Sequence, residues 1–135
     1  MSQDSLVISG KDIRKLLTME DDVATQENLF SLNAQGKAWC GETAWIQPDS
    51  KVQTYPAEGK MMTGGIEPDW WGVKNIFYGE YDPDGRRRVA ILTIFDAKTL
   101  CPVAVMECLY ILNVRTGAGA AVATKHLARK DARVI

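Results

Sequence analysis

Val89-Ala90-Ile91-Leu92-Thr93-Ile94-Phe95, then Asp96-Ala97-Lys98-Thr99, then Pro102-Val103-Ala104-Val105-Met106, then Arg115-Thr116-Gly117-Ala118-Gly119 running on to His126-Leu127-Ala128-Arg129: this order decides the fold. Residues 89–95 are apolar on both faces apart from Thr93, the pattern of a central strand covered on both sides. Asp96 to Thr99 makes a turn. Pro102 opens the next strand, where proline costs no ladder bond. The small-residue helix that follows is expected to carry Arg115 at its start. There a guanidinium fork can hold an anion with help from the free N–H groups of the first turn.

Working outward, Gly72 to Tyr78 alternates as a strand, and Asp82-Pro83-Asp84-Gly85 is a strong turn signal. Three strands and a closing helix therefore form one α+β unit. Nearer the N-terminus, Val7-Ile8 reads as a short strand and Asp12 to Leu17 as a helical turn. Thr18 is placed to cap a second helix, with Asp21 and Asp22 favourable to its first turn. Met19, Val23, Phe30 and Ala34, widened by Leu29, give that helix an apolar face to about Gln35. Gly36 stops it by supplying a left-handed residue. Between Lys37 and Pro68 the pattern predicts two or three short strands with irregular links, one over Lys51 to Tyr55, and a flexible turn at Gly64-Gly65. The expected fold is a mixed sheet with an N-terminal amphipathic helix and a C-terminal small-residue helix.

The 135 residues, 46% apolar, suffice for one domain with its own core. A net charge of −1 with scattered basic residues gives no electrostatic case for nucleic acid or an acidic membrane. Arg86-Arg87-Arg88 follows a turn and reads as a solvated hairpin end. Cys40, Cys101 and Cys108 lack metal-ligand spacing and read as buried free thiols of a reducing compartment. Pairing Cys108 with His126, the single histidine, as nucleophile and base is disfavoured by their separation along one helix, and one histidine makes a metal site improbable. No signal peptide or membrane span is visible, so a cytoplasmic location is expected.

Gly117-Ala118-Gly119-Ala120-Ala121-Val122 has the spacing of a degenerate dinucleotide fingerprint. A nucleotide-binding unit would need a second strand and an acidic residue about 20 positions on, and Asp131 comes too early. Close helix packing is the better reading.

With Ser9-Gly10-Lys11-Asp12-Ile13, Leu16-Leu17-Thr18-Met19, Gly72-Val73-Lys74, Asp96-Ala97-Lys98-Thr99, Arg115-Thr116-Gly117-Ala118 and Leu127-Ala128-Arg129 in this order, the chain resembles the N-terminal domain of the ornithine cyclodeaminase/mu-crystallin family. The resemblance implies a substrate-binding and dimerisation domain over residues 1–128. Residues 129–135 would begin the connection to an NAD(P)-binding Rossmann domain beyond Ile135. It implies an oxidoreductase acting on an amino or imino acid, of ornithine cyclodeaminase, alanine dehydrogenase or imine reductase type, inactive without its nucleotide domain. The alternative is a non-catalytic, mu-crystallin-like module that binds a small ligand or dimerises.

Carried onto this chain, the resemblance makes Lys74 a catalytic acid–base group, Arg115 and Lys51 carboxylate ligands, and Thr116 a cofactor contact. NAD or NADP would serve the full-length family, with none expected on this chain alone, and a homodimer is implied. The bland alternative is that Lys74 snorkels at a sheet edge and Arg115 pairs with Glu107. The chain also departs from the family pattern. Leu100 stands where a glycine is usual before the second strand, Leu112 where a threonine is common, Glu107-Cys108 where Asp-Gly follows that strand, and Arg88 where a small or hydroxyl residue approaches the cofactor.

Overall fold

The computed structural model describes residues 4–47, 58–82 and 85–133. In chain order the elements are β1 (Leu6–Ile8), α1 (Gly10–Leu16), α2 (Met19–Ala34), β2 (Ala38–Cys40), β3 (Ala44–Ile46), β4 (Glu58–Ile66), β5 (Trp70–Asp82), β6 (Gly85–Asp96), β7 (Pro102–Glu107) and α3 (Leu109–Leu127). The strands form one mixed sheet in the order β1-β7-β6-β5-β4-β2, with β3 also paired to β4. β1 runs parallel to β7, and the other pairs are antiparallel. The α+β architecture read from the sequence is the one observed.

Local signals explain most boundaries. Ser9 and Thr18 cap α1 and α2, and Thr18 with Asp21 forms a reciprocal capping box. Gly36 adopts φ +71, while its N–H and that of Lys37 donate to Asn33 and Leu32, which closes α2 in a Schellman motif. Pro102 begins β7 as expected. β5 and β6 pair from Trp70↔Asp96 down to Asp82↔Gly85, with one extra residue on β5 between Tyr78 and Tyr81. The tip of this hairpin at Pro83 and Asp84 lies outside the described residues.

α3 lies across one face of the sheet, with its buried core at Ile76, Ala90 and Cys108, flanked by Tyr78, Leu92, Leu109, Ile111 and Leu112. α2 packs on α3 and reaches β2 rather than the central strands. Along α3 the buried stripe is Val114, Ala118 and Val122. Gly117 and Ala118 thus sit mid-helix: Ala118 is fully buried, and a Cβ at exposed Gly117 would make only an ordinary contact with Met19 Cε, at 3.5 Å.

Four expectations change. α2 does not bury the Met19–Val23–Phe30–Ala34 face. Its most buried residue is Asp22, and Met19, Phe30 and Ala34 are exposed, because a helix seated on small α3 residues buries only a narrow stripe. Gly64-Gly65 is no turn but lies within β4, paired with Gly72 and Trp71. β6 is central, yet only one of its faces is covered by this chain's helices: Ala90 is buried while Val89 and Ile91 are 44% and 39% exposed. Cys40 is exposed rather than buried, although the three thiols are free as expected.

Candidate active site

Lys74 lies on β5 between Met62 of β4 and Leu92 of β6, well inside the sheet and on the face that α3 covers. Two residues along the same face, Gly72 stands opposite Gly64. Neither has a side chain, so the sheet leaves an open floor beside the lysine. On the other side, the Cys108 N–H donates to the Ala90 carbonyl at 2.9 Å, which fixes the start of α3 against β6. Cys108 offers no side-chain cap, and Glu107 Oε1 serves instead by accepting from the Leu109 N–H at 2.7 Å. Residues 108, 111, 112 and 115 then fall on one helical stripe.

These elements enclose a cavity of about 280 Å³, lined by Cys40, Met62, Thr63, Gly64, Gly72, Lys74, Leu92, Cys108, Ile111, Leu112 and Arg115. Lys74 and Arg115 thus face one space from two different elements. Neither side chain makes a hydrogen bond or ion pair with a described residue. Burial pushes the Lys74 ammonium below its ordinary range, the Arg115 guanidinium pushes it further, and Lys60 adds to the effect. Burial raises the Cys108 thiol, which keeps it a poor nucleophile. His126 bonds Glu27 at 2.6 Å at the far end of α3, about 27 Å along the axis from Cys108 at 1.5 Å per residue, so the two do not form a pair.

Arg115 is not at the start of its helix. α3 begins six residues earlier, at Leu109, so Arg115 sits in the second turn and first-turn N–H groups do not back it. The sequence hid this because residues 109–114 are as apolar as a strand. Neither bland alternative holds: β5 is an interior strand, and Glu107 caps α3 instead of pairing with Arg115. Thr116 is exposed beside Arg115, lines no part of the cavity, and donates its hydroxyl to the Leu112 carbonyl at 2.8 Å. Lys51 lies outside the described residues.

Sequence reasoning overlooked Gly64 and Gly72 as a cavity floor, Cys40 as a wall, and Asp22. Asp22 is only 5% exposed, its Oδ2 has no partner among the described residues, and it lies within electrostatic reach of Arg115. Burial raises its carboxyl and Arg115 lowers it, in that order of size. A buried acid two positions after an α2 N-terminal methionine-glutamate pair looks like an ordinary dipole partner, so no pattern distinguished it.

The sequence profile of the ornithine cyclodeaminase/mu-crystallin family matches residues 3–135. The chain belongs to that family. Alanine dehydrogenase of Archaeoglobus fulgidus is 27% identical over 132 residues, covering 97% of this chain and 39% of the relative. Among solved structures, an archaeal alanine dehydrogenase dimer with bound NAD superposes with a TM-score of 0.81 at 25% identity, over 94% of this chain and 38% of that one. The Δ1-pyrroline-2-carboxylate reductase of Thermococcus litoralis, in complex with NADH and L-proline, gives 0.77 at 29% identity, over 95% and 39%. This family chain therefore spans about two fifths of the length of these relatives. Among the described residues no helix is long and apolar enough to cross a membrane, and no group of three or more His, Cys, Asp or Glu is placed to hold a metal ion.

Proposed function

We propose that this chain is the substrate-binding and dimerising portion of an NAD(P)-dependent oxidoreductase that acts on an amino or imino acid. One observation carries the reading: two cationic groups, Lys74 and Arg115, face a single largely apolar cavity, and among the described residues neither side chain has a carboxylate hydrogen-bonded or ion-paired to it. An α-carboxylate supplies the missing charge. Arg115 holds it through two parallel N–H···O bonds. Lys74, with its ammonium lowered by burial and by Arg115, exchanges a proton with the nitrogen or oxygen on the α-carbon. Thr116, exposed one residue on, is the proposed cofactor contact, and Lys51 a second carboxylate ligand.

The glycine-rich stretch Gly117 to Val122 does not fit a dinucleotide's phosphates. It lies in the middle of α3, where backbone N–H groups are spent on helix bonds rather than turned toward a phosphate. Hydride chemistry belongs to the cofactor, so this chain by itself is expected not to turn over.

Ligand-detected NMR with pyruvate tests the reading. Binding is expected, weakened about 10- to 100-fold in Arg115→Ala, the loss of a charge-assisted hydrogen-bonded pair worth about 1.5–3 kcal/mol. Equal binding by the variant would refute the role of Arg115.

A further inference from the structure

The cavity also records what the rest of the ligand must be. Beyond Lys74 and Arg115 its walls are Met62, Leu92, Ile111 and Leu112, with the two thiols, Thr63 and the glycine floor. Among the described residues no carboxylate lines it. Asp22 is buried in the α2–α3 seam, outside the lining, and within electrostatic reach of Arg115. One buried acid against two cations leaves room for a single negative charge.

We propose, building on the carboxylate reading above, that the site selects monocarboxylic 2-oxo or imino acids with an uncharged, apolar side chain. A side-chain ammonium would sit among hydrocarbon walls, face two like charges and find no acid among the described lining residues to accept from it. A second carboxylate would be stranded against Met62, Leu92 and Leu112 once Arg115 held the first, with Asp22 adding repulsion. An apolar side chain gains about fourfold in affinity for each CH₂ it buries, the equivalent of about 0.8 kcal/mol. The cavity, near the lower end of ordinary ligand pockets of about 300–1,000 Å³, suits a branched or short straight chain.

Titrating the whole chain with matched ligands, followed by ligand-detected NMR, decides the matter. L-norvaline and L-ornithine differ only in the terminal ammonium, and 4-methyl-2-oxopentanoate and 2-oxoglutarate contrast an apolar end with a second carboxylate. We expect the apolar member of each pair to bind at least 10-fold more tightly, and 4-methyl-2-oxopentanoate to bind more tightly than pyruvate. Leu112→Ala should lower affinity for 4-methyl-2-oxopentanoate several-fold more than affinity for pyruvate, since a methyl group reaches less of the wall. If ornithine or 2-oxoglutarate binds as tightly as its partner, the selectivity is wrong while the Arg115 reading stands. If none of the five binds, both fall.

Discussion

Burial holds the Lys74 ammonium on β5 below its ordinary range, and Arg115 on α3 lowers it further by adding like charge. Two cations kept together in this way are an unfavourable arrangement for a folded protein on its own. The arrangement makes sense as a site whose energy improves when an anion arrives.

Lys74→Met should therefore raise thermal stability near neutral pH and abolish pyruvate binding. The sign follows from linkage. The folded-state value lies below the unfolded one of 10.5, so between the two the unfolded chain binds more protons and stability rises with pH. Below the folded value the full penalty applies. Chemical denaturation between pH 7 and 10.5 would show this rise in the wild type and its absence in Lys74→Met; a parallel response in both would disprove the assignment. In Arg115→Met, the Lys74 titration followed by NMR should move upward.

Leu100 has a left-handed backbone, φ +58, and is 58% exposed. A side chain there costs about 1–2 kcal/mol against glycine, offset by glycine's greater loss of freedom on folding, about 0.5–1 kcal/mol. Leu100→Gly should stabilise the chain by about 0.5–1 kcal/mol. Gly36→Ala, at φ +71 with nothing near its Cβ, should destabilise by about 1 kcal/mol for the same reason in reverse. Urea midpoints moving the other way would show that local packing outweighs backbone conformation at these sites.

Asp96 Oδ1 accepts from the Lys98 N–H, the Thr99 N–H and the Thr99 hydroxyl, and these bonds, those of Thr99 foremost, lower its carboxyl. Glu27 is lowered by its bonds to Lys125 and His126 across the α2–α3 pair. Both groups have folded values below their unfolded ones of 3.8 and 4.5, so their stabilisation is complete above those values and is lost as pH falls through the folded ones. Asp96→Asn and Glu27→Gln should each flatten the acid limb of a stability–pH curve. A limb unchanged in both variants would remove these bonds from the account.

The sheet face opposite α3 presents Phe77, Val89, Ile91 and Trp71 to solvent, with Val7 at its β1 margin. A sheet face with this many exposed apolar side chains around Asn75 and Thr93 is expected to be covered by a second copy, in an interface of about 800 Å² or more per partner. Light scattering should find a dimer that Ile91→Lys converts to a monomer with an unchanged circular dichroism spectrum. A wild-type monomer at high concentration would refute the proposed homodimer.

Turn and cap chemistry was legible because it is local. Thr18 with Asp21, Gly36, Pro102 and the Asp96 turn act within a few residues of chain, and each is where the sequence puts it. The start of α3 was not legible. Residues 109–114 carry no helix signal of their own, and the helix begins there because Glu107 supplies the cap and the Cys108 N–H is tied to β6. Gly64-Gly65 misled for a similar reason: glycines that punctuate most chains here lie opposite Gly72 and Trp71 in a strand, and only pairing with β5 reveals it.

The α+β class, the elements on either side of residues 37–68 and the ends of α2 were thus legible in the sequence, being set by short-range sterics and periodicity, and the two cations worth watching came from the family resemblance. The tertiary structure decided that Lys74 and Arg115 share a cavity, that Asp22 stands within electrostatic reach of Arg115, and that no described helix covers the second sheet face. Those relations join residues 41 and 93 positions apart, and a distance between remote residues is fixed by strand register and helix seating, which no local pattern encodes.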